Sequence, residues 1–303
     1  MLYKLKYINN LGDEVNFGGE TIKFRDTVEI PLSKEKNPFS LIKFEGFGEV
    51  EASLQMQKFP YQDGSTHVDT RLEEKHPYIE FIIMADDFMQ LSYYRRYISK
   101  VFNPKIQGRI ELIYGDKTYV IDAIPEQVPS FPDEGTDANG RTQTVSVNLV
   151  SPDPYWRYPQ KISRALKAYE GRFTLPFTLP FELGVSGDST TLTNEGNVDC
   201  PITIDVQGPV TRPQIRNLTT GKFMLLNRTL SSNEVLHINT SDHNKRAEIY
   251  RDGLVFEKAW GYIDDGSEFF KLITGDNELE YLADSGVADA IVSIGWQSRY
   301  VGI

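Results

Sequence analysis

The chain has 303 residues, 40% of them hydrophobic and 25% charged, with a formal net charge of -11. That length holds two domains of ordinary size, each with its own core, and the composition excludes a disordered or membrane-spanning chain. Carboxylates spread along both halves repel phosphate backbones, which argues against nucleic acid as a partner, and a lone Cys200 excludes an internal disulfide framework and fits folding in a reducing cytoplasm.

The N-terminus alternates Tyr3, Leu5 and Tyr7, which reads as a strand and not as a signal peptide. Asn9-Asn10-Leu11-Gly12-Asp13 makes a turn, and Phe17-Gly18-Gly19 makes another. Val50, Ala52, Leu54 and Met56 alternate again, a loop follows at 59–66, and a denser strand covers 78–84. One strong helix comes next, capped by Asp86 or Asp87 and closed by Pro104. Its Phe88, Leu91, Tyr94, Ile98, Val101 and Phe102 recur at helical spacing and are expected to face the sheet. On the opposite face Met89, Tyr93 and Tyr97 stack among Arg96 and Lys100. Tyr, Met and Arg are the types enriched at interfaces, so this stripe is read as a protein contact; the alternative is cover by a loop of the same chain.

Tyr114-Gly115-Asp116-Lys117 predicts a tight hairpin turn, residues 129–141 a polar loop, and 142–150 a strand with Val145, Val147 and Leu149 on one side. That strand ends at Ser151-Pro152-Asp153-Pro154-Tyr155-Trp156. Pro152 and Pro154 remove backbone donors and stop the ladder, while Tyr155 and Trp156 are too apolar to leave wet. The hexapeptide is therefore expected to be a packed domain seam. Domains are expected at 1–150 and 183–303, with a linker and extended arm at 151–182.

Residues 161–169 read as a short helix. The tandem Phe-Thr-Leu-Pro repeat that follows places Phe173, Leu175, Phe177, Leu179 and Phe181 on one side of an extended segment. Such an arm docks on an apolar surface, either of its own C-terminal half, which is preferred, or of a neighbour. Strands at 202–206, 213–218, 222–226, 235–238, 247–250, 269–273, 278–282 and 290–296 then imply a sandwich or jelly roll.

Chemistry finds little support. His67, His76, His237 and His243 have no zinc spacing, Gly184-Val185-Ser186-Gly187 falls one residue short of a nucleophile elbow, and Asp264, Asp265 and Glu268 sit in a hydrophilic turn. Trp260 and Tyr262 are candidates for stacking on a sugar ring or for the core, whereas Trp296 shares a face with Val292 and Ile294 and is assigned to the core.

Several ordered pieces resemble one family. These are Gln62-Asp63-Gly64-Ser65-Thr66, Asn103-Pro104, Pro152-Asp153-Pro154-Tyr155-Trp156, Gly208-Pro209, Pro213-Gln214-Ile215-Arg216-Asn217 with Thr219-Thr220-Gly221, and Leu272-Ile273-Thr274-Gly275-Asp276-Asn277. In this order they span nearly the whole chain, which resembles the distal tail proteins (Dit) of long-tailed, non-contractile phages and prophages of Gram-positive bacteria. The resemblance implies a mainly β protein with one principal helix: an N-terminal β-sandwich similar to tail-tube proteins that forms a homo-hexamer ring, and a C-terminal galectin-like β-sandwich. It implies partners in the tail-tube protein, the tail-tip or tail-associated lysin protein, and a receptor-binding protein. It implies a virion location at the distal end of the tail, reached from the host cytoplasm during assembly. No catalytic residue, cofactor, metal or membrane contact comes with it. Two other functions stand beside the structural hub: a glycan-binding adsorption protein using Trp260 and Tyr262, and a cell-wall hydrolase using the Asp264 region. The run Glu73-Glu74-Lys75-His76-Pro77 is more polar than the family's pattern before that strand.

Overall fold

The computed structural model describes residues 3–17, 37–132, 140–166, 189–287 and 289–303. Backbone contacts divide the chain into Met1–Pro159 with Tyr300–Ile303, and Gln160–Arg299. The boundary therefore lies at Pro159–Gln160, beyond the expected break at 150, and the chain re-enters the first unit at Tyr300.

The first unit runs β1 (Tyr3–Asn9), β2 (Glu14–Phe17), β3 (Phe39–Glu45), β4 (Ala52–Gln57), β5 (Thr66–Leu72), β6 (Tyr78–Met84), α1 (Phe88–Val101), β7 (Gly108–Tyr114), β8 (Lys117–Pro125), β9 (Thr142–Val150) and β10 (Trp156–Arg157). Its main sheet has the antiparallel order β2-β1-β7-β8-β9-β6-β3. Period-2 alternation decides the faces: Val145, Val147 and Leu149 of β9 are buried, as are Ile79, Phe81 and Ile83 of β6. Phe81 lies opposite Val145 and Ile79 opposite Val147, so apolar cross-strand pairs hold the register. The two ends of the sheet, β2 and β3, meet, and α1 packs on β2 and β6, so one wrapped sheet and one helix enclose a single core. Gly108 permits the closure at β1, since a Cβ there would lie 2.3 Å from the Tyr7 hydroxyl.

Asp87 is the N-cap of α1: its carboxylate accepts from the Gln90 N–H at 2.7 Å, while the Gln90 side chain accepts from the Asp86 N–H at 2.6 Å. Leu91, Tyr94, Tyr97, Ile98 and Val101 are buried. Two residues depart from the expected faces. Tyr97, assigned to the outward stripe, turns inward because β2 flanks the helix, and its hydroxyl donates to the Glu14 carbonyl at 2.9 Å. Phe88, assigned to the sheet face, stands exposed on the first turn.

The second unit contains β11 (Ile162–Leu166), β12 (Ser189–Asn194), β13 (Ile202–Gln207), β14 (Val210–Thr211), β15 (Gln214–Asn217), β16 (Phe223–Leu225), β17 (Thr229–Leu230), β18 (Glu234–Asn239), β19 (Arg246–Arg251), β20 (Leu254–Lys258), β21 (Gly275–Leu282) and β22 (Ile291–Trp296). A six-stranded sheet, β11-β22-β13-β18-β19-β20, and a four-stranded sheet, β12-β21-β15-β16, share one core. Trp296 is buried there, as expected, and its indole N–H donates to the Thr193 carbonyl at 3.1 Å. The helix expected at 161–169 is not formed over its described part. Ile162 to Leu166 instead pair residue by residue with β22, a tertiary ladder overriding local propensity. The strand expected at 269–273 is also absent: Leu272 makes one bridge to Cys200, and the ladder begins at Gly275.

Two buried groups in this unit make it testable. Burial pushes the Cys200 thiol up to about 12. Ellman's reagent at pH 8 is expected to leave it unlabelled in the folded protein and to label it fully after unfolding in guanidinium. The Glu234 carboxylate, 4% exposed, accepts from Arg251 at 2.7 Å, Arg228 at 3.2 Å and the Ser231 N–H at 2.9 Å. Burial pushes its pKa up, but these donors outweigh it and hold the group at about 2, below the ordinary 4.5. The group therefore adds stability above pH 4.5, about 3 kcal/mol, which is lost as pH falls through the range from 4.5 to 2. Urea titrations of Glu234→Gln should show that loss at pH 7 and little difference from the parent at pH 2.5.

Candidate assembly surfaces

The seam hexapeptide lies inside the first unit and not at its border. Ser151 closes a two-way backbone bridge with Lys75, Pro154 and Trp156 are buried, and Pro152 is exposed. Trp156 belongs to the core: it stacks on Phe47 at 6.0 Å, and its indole N–H donates to the Phe47 carbonyl at 2.8 Å. Tyr155 is half-buried. The aromatics expected at a junction thus hold one unit together.

On α1 the outward face is narrower than expected. Met89 is 74% exposed and Arg96 is exposed, Tyr93 leans half-buried on the core, and Tyr97 is inside. The arm of Phe173, Leu175, Phe177, Leu179 and Phe181 lies outside the described residues, as does Gly184 to Gly187.

The feature that sequence periodicity missed is the β4–β5 hairpin. These two strands pair with each other in a sheet of their own, and every residue of β4 is exposed. Leu54, Met56, Phe59, Tyr61 and Val68 all face solvent, and Tyr61 at the tip has φ 64 with its side chain wholly outside. Polar ties shape the hairpin: His67 Nε2 lies 2.6 Å from Thr70 Oγ1, and Arg71 Nε donates to Asp69 at 3.2 Å. A two-stranded ribbon without a third strand or helix beneath it is marginal in water. The signal available beforehand was Phe59 and Tyr61 flanking Pro60 in a turn, where polar residues are the rule.

In the second unit Trp260 is 44% exposed with one face on Phe269 at 5.1 Å, and Tyr262 lies under the Arg228 guanidinium at 4.9 Å. The turn carboxylates are engaged locally. Asp264 accepts from Asn227 Nδ2 and the Gly266 N–H, both at 3.0 Å, and Glu268 pairs with Lys222 at 2.9 Å. Among the described residues no group of three or more His, Cys, Asp or Glu is placed to hold a metal ion.

Two family models match in chain order, a phage tail protein RIFT-related domain over residues 31–151 and the C-terminal domain of a siphovirus-type tail component over residues 195–300. With the two β units they define a component of a phage tail. The crystal structure of the SPP1 Dit protein, described as a paradigm of the hub adsorption apparatus in phages infecting Gram-positive bacteria, is similar with a TM-score of 0.64 at 12% identity, over 97% of this chain and 98% of that one. This chain belongs to the distal tail protein family of siphoviruses. A chain of the phage p2 baseplate in its activated conformation with Ca is similar with a TM-score of 0.50 at 12% identity, again over 97% and 98%. A comparison with curated proteins finds no match.

Proposed function

We propose that this protein is the ring-forming hub at the distal end of the tail. Six copies close through their first units, with the tail-tube protein on one side and the tail-tip or tail-associated lysin protein on the other. The second unit holds receptor-binding parts, and the ring assembles in the host cytoplasm before entering the virion. The observation that carries this reading is the β4–β5 hairpin, which pairs with no third strand among the described residues and holds its apolar residues in solvent. Residues 52–72 approach the roughly 20–30 residues that one side of a standard interface uses. Lys58 and Arg71 balance Asp63 and Asp69, so the hairpin is neutral in a chain of net charge -11. A neutral apolar surface is the part of such a chain that another acidic copy tolerates. The hairpin is unlike the α1 face of Met89, Tyr93 and Arg96, which we assign as the receiving side. Contacts between two different patches are heterologous, and they close into a ring when the rotation between copies divides a full turn.

Light scattering with negative-stain images is expected to show rings. A strict monomer at high concentration that bound purified cell-wall glycan through Trp260 would overturn the hub in favour of an adsorption module.

A further inference from the structure

The polar run that departs from the family's pattern centres on Lys75, and Lys75 is 1% exposed. Its backbone bridges to Ser151, and its amine donates to the Phe47 carbonyl at 3.2 Å and to the Val301 carbonyl at 2.6 Å. Among the described residues no carboxylate pairs with it. The Phe47 carbonyl also accepts from Trp156, so this acceptor is fixed in place by the core. Residues 300–303 are seated around the same point. The Tyr300 ring meets Tyr119 at 5.6 Å and Tyr158 at 5.4 Å, and Gly302 runs so close to Gly48 that a Cβ on it would lie 3.0 Å from the Gly48 carbonyl oxygen. A cavity of about 300 Å³ lined by Gly46, Glu49, Glu51, Glu74 and His76 opens beside the lysine.

We propose that residues 300–303 are a detachable clasp on the first unit, locked by the Lys75 amine. A lysine amine buried on two carbonyls without a counter-ion is a lock with little surplus energy, because lost hydration offsets much of what the two bonds contribute. Withdrawal of Val301 removes one acceptor and lets water reach the amine from the cavity. The clasp is therefore coupled to protons. Burial holds the amine at about 8 when shut, and the open form regains the ordinary 10.5, so protons favour opening and rising pH favours closure. The titratable groups facing this point are Glu49, Glu51, Glu74 and His76 along the cavity, with His76 engaged by Glu126 at 2.7 Å, Lys117 over the Tyr158 ring at 5.9 Å, and the Tyr119 and Tyr158 hydroxyls beside Tyr300, of which hydrogen bonding to Tyr300 holds Tyr158 below the ordinary tyrosine value.

The test is trimming of the full chain by a carboxypeptidase, with the rate divided at each pH by that of a free peptide of the same last residues. Between pH 7.5 and 9.5 the ratio is expected to fall about 20-fold. In Lys75→Met the pH dependence disappears; in Tyr300→Ala it persists while trimming quickens at both pH values. A flat ratio in the parent protein, or a pH dependence that survives in Lys75→Met, overturns the proposal. Should Lys75→Met not fold, the Lys75 titration followed by 13C NMR decides. It is expected to move from about 8 toward the ordinary lysine value in a chain stopped after Arg299, and no upward movement refutes the lock.

Discussion

Leu54→Glu combined with Met56→Glu is expected to leave both units folded and to abolish ring formation. Neither side chain touches the core, since both are exposed on β4, so the fold loses nothing by the change. In the proposed ring the same positions would be covered by a neighbouring acidic chain, and a carboxylate buried there without a partner would cost about 3–5 kcal/mol. That corresponds to a loss of roughly a hundredfold or more in association per contact, repeated around a closed ring. Light scattering reads the mass, and circular dichroism with the unreactive Cys200 thiol reads the fold. Met89→Glu with Arg96→Glu tests the receiving face in the same way. Rings that persist with both strands of evidence for folding intact would remove the hairpin from the interface.

Trp156→Ala is expected to cost the first unit about 3–5 kcal/mol, the range for deleting a large buried aromatic. The ring fills space against Phe47, and Phe47 is itself held against Phe44 at 5.1 Å, which limits its collapse into the cavity. The lost indole N–H matters less, as Lys75 still donates to the Phe47 carbonyl. Urea unfolding followed through the helix signal should give this loss, with Trp156→Phe retaining most of the stability. A cost below about 1 kcal/mol would remove Trp156 from the core of the first unit.

The helix shows how far periodicity reaches. A cap at Asp86 or Asp87 and the inward Leu91, Tyr94, Ile98 and Val101 follow from local spacing, because one helix turn relates them whatever surrounds it, while the structure selects Asp87. Tyr97 does not, since its burial depends on β2, a strand distant in sequence whose Glu14 carbonyl takes its hydroxyl. The candidate glycan residues behave likewise. Nothing local announces that Arg228 covers Tyr262 or that Phe269 backs Trp260.

Already legible in the order of the residues are the mainly β class with one principal helix, the strand at β6, the buried face of β9, the core place of Trp296, and the motifs that mark a distal tail protein. Each of these is a relation between residues a few positions apart, or a pattern read in order along the chain. Five features needed the folded chain: the boundary at Pro159–Gln160, the core place of Trp156, the strand at 162–166, the alternating row of β4 facing water, and Lys75 buried against Val301. The physical reason is common to all five. Alternation states that the two faces of a strand differ, but what covers a face, and whether anything does, is settled by partners brought together from far along the chain.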